Sequence, residues 1–257
     1  MSPPPVNNFD TILSRAQASL NPVGELTEVD TLSASGREYP LVKMVLGKGN
    51  PRRVLISAGI HGDEPAGVET ICAFLENKLY QDFLKDWEFT VLPCINPSGY
   101  DAGTRNNHDD IDLNRQFKEE RVPREVVFVK RMLEQPYHLD LELHEDVDSP
   151  GYYLYQKDQS ARLSSLGRTI LDRVERIHPL NLAEDIEGMP ADRGLLSRLS
   201  DPGEMEWWPM ALYAYQRGCR HVFTLETSPD FSMDRRVKAH LEAIRAALET
   251  IPDVTEQ

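Results

Sequence analysis

Short apolar runs alternate with longer stretches of helical spacing along most of this chain. Apolar or alternating runs predict strands at Glu25–Leu32, Tyr39–Leu46, Arg53–Ile60, Phe89–Cys94, Leu139–Leu143, Tyr152–Tyr155 and His221–Leu225. Apolar residues at helical spacing predict helices near residues 65–80, 121–134, 160–176, 209–217 and 233–249. The first two strands are expected to form a hairpin, and the later strands alternate with helices. We therefore expect an α/β fold, a three-layer sandwich in which helices cover both faces of a mixed, mostly parallel, twisted sheet.

The length of the chain suits one α/β domain. It has 257 residues, of which 40% are hydrophobic, and this is enough to build one sizeable core. No repeat or linker interrupts the pattern, so we predict a single domain over residues 8–252. Residues 1–7, which include three consecutive prolines, and residues 253–257 are expected to be flexible tails.

The formal net charge of −14 narrows the choice of partners. Such a surface repels nucleic-acid phosphates and anionic lipid, so we expect neither nucleic acid nor a membrane as a partner. No apolar run approaches the ~18 residues of a membrane span, and the N-terminus lacks the basic and apolar regions of a signal peptide. The three cysteines are far apart and include no C-x-x-C pair, which favours a reducing, cytoplasmic location.

Polar residues gather where the predicted strands end. His61 and Glu64, Asn96, His144 and Glu226 each lie just after a predicted strand or at its end. Ligands of open parallel sheets bind beyond the carboxyl ends of the strands. The sequence therefore predicts one site at one edge of the sheet.

Two histidines and a glutamate in this group match the ligand set of a catalytic zinc. Such a site uses three protein ligands, often two His and one Glu, and keeps one position open. His61 and Glu64 supply a close pair, and His144, at the tip of an alternating strand, is the candidate third ligand for one Zn²⁺ ion. A lone histidine is more often a surface or hydrogen-bonded residue, so the hypothesis depends on their joint placement. The histidines that we do not expect to be ligands are His108, His138, His178, His221 and His240.

Four motifs together resemble the zinc carboxypeptidase superfamily, which includes the murein-peptide amidases and the related succinylglutamate desuccinylase and aspartoacylase branch. They are HGDE at 61–64, NPSGYDAGTR at 96–105, DLNRQF at 112–117, and LELH at 141–144 followed by TLET at 224–227. Each motif is weak alone, but the family has all of them in this order. The resemblance implies a zinc carboxypeptidase-like fold and covers about two thirds of the chain.

The resemblance also implies a role for each matching residue. Glu226 would be the catalytic glutamate, and Arg105 the arginine that polarises the scissile carbonyl. Asn114 and Arg115 would bind the terminal carboxylate of the substrate, and Asp112 would orient the imidazole of the first zinc ligand. Taken alone, each residue has an ordinary alternative: a strand-end salt bridge for Glu226, a solvated turn for Arg105, and a surface pair for Asn114 and Arg115.

The sequence departs from the larger digestive members of the superfamily in two places. The region Ser197–Trp208 lacks the tyrosine that those enzymes carry in a mobile loop. Trp207 and Trp208 either cap the site or pack against the protein, and we favour packing. Glu145 and Asp146, directly after His144, indicate either a pocket for a cationic group or, as we favour, a solvated acidic loop.

Three functions are compatible with these observations. The leading hypothesis is a zinc metallocarboxypeptidase or peptide amidase that cleaves an amide bond beside a free C-terminal carboxylate of a short peptide. The second is a deacylase that acts on an N-acyl amino acid, as in the desuccinylase and aspartoacylase branch. The third is a catalytically silent binding protein that keeps the fold. The first two require the same metal, the same carboxylate-binding residues and a small substrate.

Overall fold

The computed structural model describes residues 7–20, 23–159, 165–197 and 202–251, and within them it has the expected α/β architecture. An eight-stranded sheet forms the middle layer. Its strands, in spatial order, are β1 (Gly24–Ala34), β2 (Arg37–Leu46), β4 (Trp87–Leu92), β3 (Arg52–Ala58), β5 (Leu139–Glu145), β10 (His221–Thr227), β6 (Tyr153–Asp158) and β9 (Leu195–Leu196). A small separate hairpin consists of β7 (Asp185–Ile186) and β8 (Met189–Pro190).

Helices cover both faces of this sheet. They are α1 (Phe9–Leu20), α2 (Pro65–Glu76), α3 (Pro97–Ala102), α4 (Arg124–Met132), α5 (Leu166–Val174), α6 (Met210–Gln216) and α7 (Met233–Thr250). On one face α1, α2, α5 and α7 pack against one another, and α2 also packs on β5. On the other face α6 packs on β5, β10 and β6, and it meets α4 through Lys130 and Tyr213.

The four central strands run parallel, and the strands at the edges run antiparallel. β3 pairs in parallel with β4 and β5, and β5 pairs in parallel with β10. The hairpin of β1 and β2 joins β4 antiparallel, and β6 joins β10 antiparallel. The expectation of a mixed, mostly parallel sheet is thus confirmed for its centre, where the carboxyl ends of β3, β5 and β10 meet.

Strand β5 shows how the local sequence places the site. Leu139, Leu141 and Leu143 alternate with Asp140, Glu142 and His144, and all seven residues of the strand are buried. Helix α2 approaches the leucine face so closely that a Cβ on Gly67 would lie 2.8 Å from the Leu143 carbonyl oxygen. The polar face is therefore turned toward α6, where an alternating strand places its second set of side chains.

Some elements differ from the sequence-based expectation. Helix α1 was not predicted, although its buried residues Phe9, Ile12, Ala16 and Leu20 have helical spacing. The helix expected at 65–80 ends at Glu76 and is followed by a 3-10 turn, Leu79–Phe83. Most of the two expected tails and residues 160–164 of one expected helix lie outside the described residues.

Two further findings concern the cysteines and the apolar character of the helices. Cys72, Cys94 and Cys219 are buried free thiols whose pKa is raised by burial, as expected for cysteines that act as small apolar residues. Among the described helices, none has both the length and the apolar character needed to cross a bilayer.

Candidate metal and catalytic site

The turn between β3 and α2 carries His61 and Glu64 toward the carboxyl edge of the sheet. Gly59, directly after β3, has a φ of 64°, a left-handed conformation in which a Cβ would clash with α2. Gly62 packs so tightly on α3 that a Cβ there would lie 2.0 Å from the carbonyl carbon of Gly99. The two glycines thus allow a compact turn, from which His61 and Glu64 face a cavity.

His61, Glu64 and His144 converge at the floor of this cavity. The Nδ1 atom of His61 lies 2.6 Å from Glu64 Oε1, and the Nδ1 atom of His144 lies 2.9 Å from Glu64 Oε2. One donor atom from each residue lies within 4.8 Å of the others, and all three residues are buried. Two imidazole nitrogens and one carboxylate form a donor set that fits a single divalent metal ion.

The charges at this cluster also suit a cation. Burial alone would raise the pKa of Glu64, but the two facing histidines hold it well below its ordinary value. Burial alone would lower the pKa of His61, but Glu64 and Asp112 raise it to about 8. The lowered pKa of Glu64 and the raised pKa of His61 show that the site favours a positive charge, which a metal ion would also supply.

Asp112 lies on the far side of the His61 ring. Its Oδ1 atom is 3.2 Å from His61 Nε2 and accepts a hydrogen bond from the Asn114 amide at 2.9 Å. Its Oδ2 atom accepts a hydrogen bond from Arg105 Nε at 3.1 Å. Burial would raise the pKa of Asp112, but its contacts with His61 and Arg105 lower it, so the carboxylate is ionised. It can therefore hold the proton on His61 Nε2 and leave Nδ1 free for a metal.

His144 is held from behind by a residue that the sequence did not single out. The carbonyl oxygen of His144 lies 3.2 Å from Nε2 of His240, and Nδ1 of His240 lies 3.1 Å from the Tyr152 hydroxyl. Burial lowers the pKa of His240 to about 3, so its ring is neutral. Because a carbonyl only accepts, Nε2 carries the proton, and Nδ1 accepts a hydrogen bond from Tyr152.

The cavity above the cluster has a volume of about 210 Å³. Apart from the three metal-site residues, its walls are formed by Arg105, Asn114, Arg115, Glu145, Asp146, Tyr153, Tyr155, Lys157, Glu187, Met189, Met205, Trp207, Pro209, Ala211, Leu212, Thr224 and Glu226. The eight residues to which the sequence assigned a role all lie at this cavity, seven in its wall and Asp112 directly behind His61. Asn96, which was also expected at this edge of the sheet, does not line the cavity: it is buried, and its side chain caps α3 by accepting a hydrogen bond from the Gly99 amide at 2.9 Å.

Glu226 is half-buried on β10, in register with His144 on the neighbouring strand. Burial raises its pKa well above the ordinary value, and the Glu64 carboxylate raises it further. A carboxylate with a raised pKa beside a metal site binds a proton more readily than an ordinary carboxylate, which suits a group that accepts a proton and later donates it.

Asn114, Arg115 and Arg105 form the cationic and amide side of the cavity. The side-chain oxygen of Asn114 accepts a hydrogen bond from the Met210 amide at 2.8 Å, which leaves the Asn114 NH₂ group as a donor. Arg115 Nη1 donates to the Asn114 carbonyl at 3.2 Å. Arg105 lies at the mouth, with its Nη1 atom 3.4 Å from Glu64 Oε1.

Two expectations about the surroundings of the site require correction. Glu145 is not in a solvated loop: it is buried, accepts a hydrogen bond from the Ala66 amide and forms an ion pair with Arg236. Trp208 packs against the core as expected, but its neighbour Trp207 lines the cavity. Residues 198–201 of the region that lacks the tyrosine lie outside the described part.

Sequence reasoning also missed one wall of the cavity. Tyr153 and Tyr155 come from β6, with Tyr153 donating to Asp146 at 2.7 Å and Tyr155 donating to Glu187 at 2.6 Å. Their alternation on a strand indicates a shared face, but the pairing of β6 with β10 was not visible in the sequence.

Comparison with known proteins identifies the family of the chain. Residues 50–226, more than half of the chain, match the family described as the succinylglutamate desuccinylase/aspartoacylase catalytic domain. A 72-residue stretch is 33% identical to Carboxypeptidase SOL1 of Arabidopsis thaliana, and it covers 25% of this chain and 15% of that protein. The chain therefore matches only a small part of that relative.

Solved structures share the fold at low sequence identity. A protein from Shewanella amazonensis SB2B, whose assignment as a metallopeptidase is provisional, has a TM-score of 0.80 and 21% identity over 95% of this chain and 93% of its own. A metallo-carboxypeptidase from Pseudomonas aeruginosa in complex with (2-guanidinoethylmercapto)succinic acid has a TM-score of 0.67 and 18% identity over 93% and 67% of the two chains. With the fold of the zinc carboxypeptidase-like proteins and the family match over residues 50–226, this chain belongs to the succinylglutamate desuccinylase/aspartoacylase catalytic-domain family.

Proposed function

We propose that the protein is a zinc-dependent metallocarboxypeptidase or peptide amidase that hydrolyses an amide bond beside a free carboxylate. The observation that carries this proposal is the meeting of four groups in one cavity: a metal-binding cluster, the half-buried Glu226, the oxyanion candidate Arg105 and the carboxylate-binding candidate Arg115. A volume of about 210 Å³ suits a small substrate.

His61, Glu64 and His144 would hold the metal ion, and Asp112 would fix the tautomer of His61. Zinc is the metal that two histidines and one glutamate most often bind in hydrolases. When bound, such an ion acts as a Lewis acid that acidifies water and polarises a carbonyl.

Glu226 would take a proton from the attacking water and deliver it to the leaving nitrogen. The raised pKa of Glu226 supports the second half of this task, because it helps the carboxyl group to hold the proton until the nitrogen leaves. Arg105 would stabilise the oxyanion that develops on the scissile carbonyl, since its guanidinium already lies beside Glu64 at the cavity mouth.

Arg115 and Asn114 would bind the free carboxylate of the substrate. A guanidinium presents two parallel N–H groups to a carboxylate, and the Asn114 NH₂ group adds a third donor. By holding the carboxylate, these donors would fix the position of the substrate relative to the metal cluster and so orient the scissile bond.

A deacylase that acts on N-acyl amino acids is the second candidate, and the match to the desuccinylase/aspartoacylase family favours it. Both reactions use the same residues and differ in what lies on the acyl side of the scissile bond. The net charge of −14 continues to argue against nucleic-acid partners, and the separated buried thiols favour the cytoplasm.

The test is a product screen on zinc-loaded protein. Short peptides and N-acyl amino acids, each with a free carboxyl and as the corresponding amide, are incubated with the wild type and with Glu226→Gln, and the products are identified by mass spectrometry. The proposal predicts release of a free amino acid from the acids only, and only by the wild type. Release from N-acyl amino acids but from no peptide would favour the deacylase. Substrate binding without turnover would favour the silent binding protein.

A further inference from the structure

The guanidinium group of Arg115 lies over the ring of Trp207. The Cζ atom of Arg115 is 3.8 Å from the centroid of the Trp207 ring, and both side chains line the cavity. A guanidinium stacks well on an indole, because it is planar and weakly hydrated and because the ring face is negative.

Trp207 lies in a segment that is held beside Arg115 by one backbone hydrogen bond and two side-chain hydrogen bonds. The segment 205–210 runs beside the segment 114–118, and Gln116 and Trp208 form a parallel bridge. The hydrogen bonds between the two segments are Phe117 N to Trp208 O at 3.3 Å, Met210 N to Asn114 Oδ1 at 2.8 Å, and Lys118 Nζ to Met205 O at 2.5 Å. These contacts flank Trp207 on both sides and keep its ring over Arg115.

The stacked guanidinium retains unused hydrogen-bonding capacity. Arg115 Nη1 donates to the Asn114 carbonyl, and no carboxylate of the described residues lies within ion-pair distance of Arg115. Because the indole covers one face of the group, hydrogen-bond acceptors can approach only along its N–H edge, which is the part that a ligand can reach.

We infer that Trp207 is a positioning residue for carboxylate recognition: its ring holds the plane of Arg115 so that the free N–H edge faces the cavity. The inference rests on the proposed function only in that Arg115 is the residue that binds the substrate carboxylate. Trp207 lies in the region where the larger digestive members of the superfamily carry a mobile tyrosine. Its proposed role is to position Arg115, and it does not contact the reacting atoms.

Binding measurements test this inference, with every protein carrying Glu226→Gln so that an N-acyl probe is not hydrolysed during the titration. The probes are N-acetylated alanine, lysine and glutamate, each as the acid and as the α-amide, titrated calorimetrically into wild type, Trp207→Leu, Trp207→Phe and the adjacent control Trp208→Phe. We expect Trp207→Leu to lower the affinity for the acids roughly 3- to 30-fold, the range of a partly desolvated cation–π contact, with little change for the amides. Trp207→Phe keeps a ring face and should lose less, and Trp208→Phe should match the wild type.

Fluorescence provides a readout that a merely structural role would not change. The chain has three tryptophans, so the emission change on adding an acid probe should disappear in Trp207→Phe and persist in Trp208→Phe. The inference is overturned if Trp207→Leu keeps the wild-type preference for acids, or if it weakens acids and amides equally. The inference is also wrong if the wild type binds each acid no more tightly than the corresponding amide. A protein that binds acids through Trp207 but hydrolyses nothing would refute the proposed function alone.

Discussion

Replacement of His240 would remove a hydrogen bond to the backbone carbonyl of His144, one of the three proposed metal ligands. It would do so without changing a residue of the cavity wall. His240 is fully buried and donates from Nε2 to the carbonyl of His144 at 3.2 Å. We predict that His240→Leu weakens metal binding, whereas His240→Gln, whose amide can reproduce the Nε2 donor, keeps most of it.

The expected size follows from the groups that would lose their partners. Leucine leaves the buried His144 carbonyl and the Tyr152 hydroxyl without the hydrogen bonds that His240 provides. Since each such group costs about 1–3 kcal/mol, the free energy of unfolding should fall by roughly 2–6 kcal/mol. Loss of a partner of the coordinating side chain itself typically weakens metal binding about 10- to 100-fold. Because His240 holds the backbone carbonyl of His144 rather than its ring, we expect a loss at or below the lower end of that range. Glutamine removes only the acceptor for Tyr152, so its cost in stability should be about 1–3 kcal/mol.

Two assays separate stability from metal binding. Urea unfolding of the metal-free proteins gives the free energy of unfolding, and competition with a chromophoric chelator gives the zinc affinity. The absorption spectrum of the cobalt-substituted protein reports the arrangement of the ligands, and it should change in His240→Leu and be restored in His240→Gln. If His240→Leu is less stable but has the zinc affinity and cobalt spectrum of the wild type, His240 supports only the fold.

Three further predictions address other residues. Glu226→Gln should keep its metal and lose turnover by about 10²- to 10⁴-fold, the range of general acid–base catalysis; turnover near that of the wild type would show that another group is the base. Arg115→Ala should lower kcat/KM about 10- to 100-fold for substrates with a free carboxyl, because a hydrogen-bonded charge pair is lost, and equal losses for acids and amides would contradict this. Burial raises the pKa of Asp140 from 3.8 to about 8, so the folded protein holds a proton that the unfolded chain releases, and stability should fall as the pH rises from about 4 toward 8. Urea unfolding at pH 5 and pH 8 gives the fall in the free energy of unfolding over this range, and Asp140→Asn should make that fall smaller by up to ~1.4 kcal/mol per pH unit. An equal fall in the wild type and in Asp140→Asn would refute the assignment.

The sequence predicted the parts of the site that depend on strand ends. His61 and Glu64 follow one buried strand, and His144 and Glu226 end two others, so the parallel order of the strands brings all four to one edge. Alternation along β5 also predicted which face carries His144. The strands and the polar residues at their ends are patterns of a few consecutive residues. The parallel sheet that these patterns predict then places the strand ends at one edge.

The parts that the sequence did not predict depend on contacts between distant segments. Trp207 reaches Arg115 because two distant loops pair through one backbone hydrogen bond and two side-chain hydrogen bonds, and no local sequence pattern predicts that pairing. His240 lies on the buried face of α7, where helical spacing indicates burial but not its partner, the His144 carbonyl. Glu145 appeared to belong to a polar loop because its partner, Arg236, is distant along the chain.

The proposed hydrolysis requires one metal ion held jointly by His61, Glu64 and His144. The direct measurement is the metal content per chain, determined by elemental analysis after zinc loading and removal of excess metal. The controls are His144→Ala and His221→Asn, the latter at the opposite end of β10 from Glu226. We predict about one zinc ion per chain in the wild type and in His221→Asn, and almost none in His144→Ala. Equal zinc in His144→Ala and the wild type, or no zinc in either, would contradict the central claim.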